Sequence, residues 1–296
     1  MTTASAEEFE PHRPRMFGLA YRMLGSAEEA EDAVQDAYLR FSATDRAAVE
    51  APAAWLAKVV TNLCLNRLAS ARARRERYVG AWLPEPVVTS DGALGPLESA
   101  EQRDTVSLAV LVLLERLTPT ERAVYVLREA FAYGHREIAG VLDLSEANCR
   151  QLHRRARQRI ATSENRFPAG RERQEELVTM FVTAAREGDL AGLEKLLAAD
   201  ATWWSDGGGK VSTARRPVAG REKVARLLVG MSERFLDGVG FTVTEANGAP
   251  ALVARHADGT LLAVAAFDCR DGEIVAVRVV MNPDKLAFVG RQLARP

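Results

Sequence analysis

A change in hydrophobic periodicity along this chain of 296 residues limits the folds that it can adopt. Up to about residue 160, apolar residues recur at the spacing i, i+3, i+4, i+7 that is typical of amphipathic helices. From Phe241 to Val280 apolar and polar residues alternate instead, and Asn247-Gly248 and Asp271-Gly272 favour hairpin turns between the alternating runs. This order predicts all-α domains followed by an α+β domain with a curved sheet covered on one face.

Two stretches rich in proline and glycine interrupt the helical pattern and predict linkers. One holds Pro84, Pro86, Gly92, Gly95 and Pro96, and the other holds Pro168 and Gly170. The expected organisation, in chain order, is a helical domain over 1–78, a linker over 79–97, a second helical domain over 98–162, a linker over 163–170 and the α+β domain over 171–296.

The overall charge gives no affinity for nucleic acid, since 39 Lys and Arg oppose 40 Asp and Glu. Any such affinity must come from local clusters of basic residues. The chain has no apolar run of about 18 residues and no signal-peptide pattern at Met1 to Phe9, which predicts a cytoplasmic protein without a membrane contact. Three distant cysteines without CxxC spacing predict neither a disulfide framework nor a metal site, and no cofactor is expected.

The first block carries an acidic helix face and then a basic helix end. Ser26 and Glu29 predict a helix start, and Glu31, Asp32, Gln35 and Asp36 follow on its polar face. Such a face is usually solvated and less often docks a basic partner. After Pro52 a second helix ends in four arginines within six residues, which favour a polyanionic partner: Arg72, Arg74, Arg75 and Arg77.

The second block has the form of a helix-turn-helix. Thr118, Pro119 and Glu121 predict a helix start by three agreeing signals. A short helix over His135 to Leu142, a tight turn at Asp143 and a helix from about Ser145 to Ile160 follow. The outer face of the last helix is rich in hydrogen-bond donors, as expected of a helix that meets base edges and phosphates.

These residues resemble a known family, the bacterial RNA polymerase sigma factors. Residues 28–41 resemble the polymerase-binding helix of sigma domain two, and Pro52, Trp55, Leu56, Asn62, Asn66 and Arg67 match its promoter-melting helix. Leu117 to Ile160 is similar to sigma domain four. Nothing between the two resembles the middle sigma domain, which points to the extracytoplasmic-function group.

Three short segments resemble the signatures of a subgroup with a C-terminal SnoaL-like cone domain. They are Trp82-Leu83-Pro84-Glu85-Pro86, Asp206-Gly207-Gly208-Gly209-Lys210 and Asn282-Pro283-Asp284-Lys285-Leu286. The chain departs from the family pattern at Asn66, where many relatives have aspartate, and at Asp143, where glycine is frequent. The first departure bears on promoter preference, and Asp tolerates the left-handed conformation that the second requires.

The resemblance implies a role for each set of residues. Core polymerase would be bound by Asp32, Gln35 and Asp36. The minus-ten element would be captured by the loop from Thr44 to Ala53 and held by Trp55, Asn62, Asn66, Arg67, Arg72, Arg74 and Arg75, although Trp55 could equally be a core residue. The minus-thirty-five element would be read by Ser145, Asn148, Arg150, Gln151, Arg154 and Arg157.

In the third domain, a pocket lined by Trp203, Trp204, Met231 and Phe235 could take an unidentified small molecule, with core packing as the alternative. Acid–base chemistry from Asp206, His256 and Asp268 is not expected, so the chain is not predicted to be an enzyme. Nor does Gly207 to Lys210 have phosphate-loop spacing. The resemblance implies regulation in cis through the three signature segments, without a separate anti-sigma protein. A helix-turn-helix regulator with a ligand-binding domain is the alternative, and it leaves the first block without a role.

Overall fold

The computed structural model describes residues 2–45, 49–75, 77–90, 92, 94, 105–161, 170–235 and 237–294. The chain divides into two compact units. The first unit comprises Met1–Glu76 and Thr89–Glu164, and the second comprises Arg77–Val88 and Asn165–Pro296. The chain therefore leaves the first unit after its fourth helix, contributes a short segment to the second unit and then returns.

The described part of the first unit is helical. Its helices are α1 (Thr2–Phe9), α2 (Arg13–Leu24), α3 (Ala27–Ala43), α4 (Pro52–Arg75), α5 (Leu108–Leu114), α6 (Pro119–Glu129), α7 (His135–Leu142) and α8 (Glu146–Ala161). The predicted start signals act as expected. Ser26 accepts a hydrogen bond from the Glu29 amide. Thr118 and Glu121 form a full capping box at the start of the helix whose first residue is Pro119.

The helix-turn-helix is formed by α7 and α8. Asp143 closes α7 with φ of 53°, the left-handed conformation expected at this position. Ile138 of α7 and Cys149 and Ala156 of α8 are buried. Lys58 of α4 pairs with Asp143 at 2.8 Å, so this motif and the promoter-melting-like helix belong to one packed unit.

Buried arginines join the two helical blocks within this unit. Arg22 of α2 donates from Nε to Thr105 Oγ1 at 2.9 Å. Arg122 of α6 donates to the Met23 carbonyl at 2.9 Å and pairs with Glu115 at 2.8 Å. Burial lowers the pKa of Arg22 and of Arg122 to about 10, so both remain charged at neutral pH. The charges are tolerated in the interior because each finds acceptors there.

The second unit is an α+β cone, as predicted. Its elements are α9 (Arg171–Glu187), α10 (Leu190–Leu196), β1 (Leu197–Asp206), β2 (Val218–Ala219), α11 (Arg221–Phe235), β3 (Gly240–Ala246), β4 (Ala249–Arg255), β5 (Leu261–Arg270), β6 (Glu273–Val280) and α12 (Pro283–Leu293). In the described residues the sheet has the order β2-β1-β6-β5-β4-β3. The β1–β6 pair is parallel and the other pairs are antiparallel. Phe181 of α9, Val224 of α11 and Phe267 of β5 belong to the core between the helices and the sheet.

The segment 77–88 differs from a simple linker. From the sequence we predict that the C-terminal domain comprises residues 171–296 alone. In the structure, Arg77–Val88 belongs to the same compact unit as this domain. Leu83, Val87 and Val88 are buried there, and Val88 forms an isolated antiparallel bridge with Ala246 of β3. The physical reason is that these apolar side chains and their backbone amides find partners in the cone.

Candidate nucleic-acid interface and linker contact

The outer face of α8 carries the residues predicted to meet DNA. Ser145 caps the helix by accepting a hydrogen bond from the Asn148 amide at 3.2 Å. Cys149, Ala156 and Ile160 turn toward the core. The predicted contact residues are all exposed: Ser145, Asn148, Arg150, Gln151, Arg154 and Arg157. The helix therefore separates an apolar packing face from a basic outer face, as groove insertion requires.

Two acidic residues, Glu146 and Glu129, contact side chains of this basic face. Arg150 pairs with Glu146 one turn earlier. His153 lies 2.6 Å from Glu129 of α6, measured from Nε2 to Oε1. This hydrogen bond is the main cause that lowers the pKa of Glu129. Arg154 and Arg157 join His135 and His153 around a shallow depression beside the helix, which leaves a basic surface there.

On α4 the structure places the predicted minus-ten residues in different surroundings. Asn66 is exposed and Asn62 is half-buried. Trp55 is also half-buried, and its ring packs at 5.8 Å from that of Phe41, between centroids. Trp55 therefore packs one side of its ring against the core and leaves part of its side chain accessible. Residues 46–48 of the predicted capture loop lie outside the described residues.

Arg67 joins the two predicted surfaces of the first block. Its guanidinium pairs with Asp36 at 2.7 Å and with Asp32 at 3.6 Å, both on α3. Asp32 and Gln35 are exposed and Asp36 is half-buried. The acidic face predicted to bind polymerase is therefore partly neutralised by an arginine predicted to bind DNA.

One arginine of the predicted cluster, Arg75, contacts the interior of its own unit. Arg75 donates to the Leu24 carbonyl at 2.7 Å and pairs with Glu115, so its guanidinium turns inward and not toward a phosphate. Its position beside Leu24, the last residue of α2, explains this orientation. The side chains of Arg72 and Arg74 lie outside the described residues.

A buried polar cluster holds the signature segments in the second unit. Asp206, at the end of β1, is 0% exposed and Lys285 of α12 is 7% exposed. Lys285 Nζ lies 2.7 Å from Asp206 Oδ2, and the same carboxylate oxygen accepts the Leu83 amide at 2.8 Å. Lys285 also donates to the Leu83 carbonyl. Both backbone groups of Leu83 are therefore satisfied by one buried ion pair.

Aromatic residues of the segment surround the same ammonium group. Lys285 Nζ lies 4.3 Å from the ring centroid of Trp82 and 4.6 Å from that of Tyr78, which are cation–π distances. The Tyr78 hydroxyl donates to Asp206 Oδ1 at 2.5 Å and accepts from Asn282 at 2.9 Å. Burial, and then the hydrogen bond to Asp206, raise the pKa of Tyr78, so its hydroxyl stays a donor.

A second anchor lies a few residues further along. Asn247 accepts from the Val87 amide at 3.1 Å and its own amide donates to the Val87 carbonyl at 2.9 Å. Gln292 of α12 likewise exchanges two hydrogen bonds with the Val88 backbone, at 2.9 and 3.1 Å. Sequence reasoning missed Tyr78, Asn247 and Gln292. For Asn247 the sequence offers one signal, the Asn247-Gly248 pair, and this pair predicts a hairpin turn rather than a contact with the linker.

The glycine loop, Gly207 to Gly209, lies close to Asn282, the N-cap residue of α12. Gly208 has φ of 59°, and a Cβ there would lie 2.2 Å from Nδ2 of Asn282. Its amide donates to Asp206 at 3.1 Å. Lys210 pairs with Asp284 at 2.6 Å on the surface. Gly207 and Gly209 complete the loop, and Pro283 opens α12. Of the linker residues, Pro84 and Pro86 are buried and Glu85 is half-buried.

A cavity of about 580 Å³ lies within the cone. Trp203 and Met231 line it, as predicted. Trp204 does not, because alternate strand residues face opposite sides, and its Nε1 donates to Thr202 at 3.3 Å. The side chain of Phe235 lies outside the described residues. Asp206 is held by Lys285, and Asp268 pairs with Arg278 at 2.5 Å, so neither is arranged for acid–base chemistry with His256.

Two family models match the two helical blocks of the chain. The family described as Sigma-70 region 2 matches residues 9–74, and the family described as Sigma-70, region 4 matches residues 107–160. The chain is 37% identical over 301 residues to the ECF RNA polymerase sigma factor SigJ of Mycobacterium tuberculosis, covering 97% of this chain and 94% of that protein. It is also 37% identical over 190 residues to the probable ECF sigma factor SigI of that organism, covering 63% and 64%.

A solved structure is similar over nearly the whole chain. The crystal structure of SigJ from Mycobacterium tuberculosis matches with a TM-score of 0.76 at 34% identity, covering 96% of this chain and 98% of that one. In the described residues no helix is both long and apolar enough to cross a membrane.

Proposed function

Because this chain belongs to the extracytoplasmic-function RNA polymerase sigma factors, we propose that its C-terminal cone regulates promoter use in cis by holding the segment 77–88. The observation that carries the proposal is the buried contact of Asp206 and Lys285 with both backbone groups of Leu83. The protein would act in the cytoplasm beside the core polymerase. Its regulator lies in the same chain, so this scheme requires no separate anti-sigma protein.

The two promoter elements are assigned to α8 and α4. A helix with an exposed basic face fits the major groove, and Arg154 and Arg157 have no acidic partner one turn away on α8 as Arg150 has. Asn62 and Asn66 offer amide groups to bases of an opened minus-ten element. Polymerase is assigned to Asp32, Gln35 and Asp36 on α3.

Regulation follows from the path of the chain. The twelve residues 77–88 lie between α4, which carries the proposed minus-ten residues, and α5, the first described helix of the block that ends in α8. Fully extended, twelve residues span up to ~40 Å. While the cone binds residues 77–88, these residues cannot extend and so add no length to the linker that joins the two regions. Once the two regions separate from their packed arrangement in the first unit, release of the segment would widen the range of spacings between promoter elements that one molecule can bridge.

In-vitro transcription with purified core polymerase and a promoter library tests the assignment. Wild-type protein should yield transcripts that share two sequence elements, and Asn62→Ala with Asn66→Ala should abolish open complexes while leaving polymerase binding intact. Arg173→Ala, an exposed change on α9, serves as the control. Open complexes that form equally well without both asparagines would overturn the minus-ten assignment.

A further inference from the structure

The cavity inside the cone has no part in DNA or polymerase binding as assigned above. Its volume of about 580 Å³ lies within the range of small-molecule sites, about 300 to 1,000 Å³. The walls are formed mainly by apolar side chains, among them Phe181, Trp203, Leu228, Met231 and Phe241. Apolar walls of this kind favour a ligand with an apolar body.

The entrance of the cavity lies at one end of the sheet. Strand register places Asp206, Val280, Val264 and Val253 in one row across β1, β6, β5 and β4. The exposed residues among those that line the cavity are Arg186, Ser212 and His256. Ser212 follows the glycine loop after β1, and His256 follows β4, so both lie beyond this row.

Arg186 lies at the same end. The first residue of α9, Arg171, pairs with Glu245 near the far end of β3, so the last turn of α9 points back toward the entrance. In the part of the chain that the structure describes, Arg186 forms no ion pair. The lining contains no Asp or Glu. Asp258 is an acid near His256, and its carboxylate accepts a hydrogen bond from the Thr260 amide.

We infer that the cavity binds an apolar molecule that carries one carboxylate. The apolar body lies among Phe181, Trp203 and Met231, and the carboxylate meets Arg186, whose planar guanidinium can donate two parallel hydrogen bonds. His256 supplies a further donor, since imidazole carries an N–H in either protonation state. Ser205 and Met281 also line the cavity, and they directly precede Asp206 and Asn282 of the linker contact.

Displacement of a fluorescent probe from the full-length protein tests this site. Decanoic acid should displace bound 1-anilinonaphthalene-8-sulfonate, and decan-1-ol should do so more weakly. Arg186→Gln should weaken decanoate about tenfold, the effect of losing one charge-assisted contact, and should leave decan-1-ol unchanged. Arg173→Gln, exposed on the same helix, should bind like wild type.

A second variant fills the cavity itself. Ala265→Trp should abolish the binding of both decanoic acid and decan-1-ol, provided that circular dichroism shows a folded protein. Equal binding of acid and alcohol to the wild type, or decanoate affinity unchanged in Arg186→Gln, would overturn the proposal. Arg186→Gln alters an exposed side chain, so its result stands even where Ala265→Trp fails to fold.

Discussion

Lys285 and Asp206 form a buried ion pair, 2.7 Å from Nζ to Oδ2, and each partner also bonds to the backbone of Leu83. A buried pair stabilises a fold only when its remaining hydrogen-bonding groups find partners. Here those partners belong to a distant segment of the chain: Asp206 accepts a hydrogen bond from the Leu83 amide across a sequence separation of 123, and Lys285 donates to the Leu83 carbonyl across 202. Undocking the segment would leave the pair incompletely satisfied, so the linker and the cone stabilise one another.

Removal of the buried ammonium group should therefore be costly. We expect Lys285→Met to lower the free energy of unfolding of the second unit by about 3 to 5 kcal/mol, because Asp206 would stay buried without its counter-charge. Urea unfolding followed by tryptophan fluorescence measures the loss. Lys210→Met is the matched control: its pair with Asp284 is exposed and should contribute at most about 1 kcal/mol. Equal losses in both variants would contradict the buried-pair account.

Gly208 offers a way to loosen the linker without removing a charge. Gly208→Ala places a Cβ 2.2 Å from Nδ2 of Asn282, which should weaken the hydrogen bond from Asn282 to Tyr78. Hydrogen exchange of the Leu83 and Val88 amides should then become faster, because both are held by side chains of the cone.

Gly259→Ala separates the clash from backbone strain. Gly259 also has positive φ, 86°, but a Cβ there would meet nothing within 4 Å. This control should leave the two linker amides as protected as in the wild type. Faster exchange in both variants would mean that backbone strain in the cone, and not the clash with Asn282, releases the segment.

The basic face of α8 should contribute unevenly to promoter affinity. Arg154→Ala should cost about 1 to 3 kcal/mol at one base position if the side chain reads a base edge. Arg150→Ala should cost less, because Arg150 already pairs with Glu146 and must give up that contact to bind DNA. Binding of holoenzyme to promoters with single changes in the minus-thirty-five element measures both. An equal loss on every sequence would instead assign Arg154 to a phosphate.

The contact between Glu129 and His153 should make stability depend on pH. Its hydrogen bond lowers the pKa of Glu129 in the folded state, so the charged carboxylate stabilises the fold. That contribution is complete above the unfolded pKa of about 4.3 and is lost as the pH falls through the lower folded value. Glu129→Gln should destabilise by about 1 kcal/mol at pH 6, and the difference should narrow below pH 4. A difference that stays constant between these pH values would argue against the charged contact.

Local signals in the sequence predicted much of the fold. Ser26 with Glu29, Thr118 with Glu121, and Asp143 at the turn act through neighbours within a few residues, so their effects are visible in one stretch of sequence. The α+β domain followed from the alternation between Phe241 and Val280 and its hairpin turns, and its cone shape followed from the family resemblance.

Contacts between distant residues could not be predicted in this way. The Val87 amide bonds Asn247 across a separation of 160 residues, and the Val88 amide bonds Gln292 across 204. In the sequence, Arg75 is part of an arginine cluster that could bind phosphates. In the structure it pairs with Glu115 and donates a hydrogen bond to the Leu24 carbonyl, so its guanidinium faces inward. Only the packed unit shows which of several arginines on a helix faces which neighbour.

Transcription from promoters that differ only in the spacing of their two elements tests regulation by the cone most directly. Wild type, Gly208→Ala and the Gly259→Ala control would be compared with the same core polymerase. Wild type and the control should favour one narrow range of spacings, and Gly208→Ala should transcribe from a wider range, because the released residues 77–88 lengthen the tether. Identical spacing profiles, measured while the Leu83 amide of Gly208→Ala exchanges freely, would contradict the account.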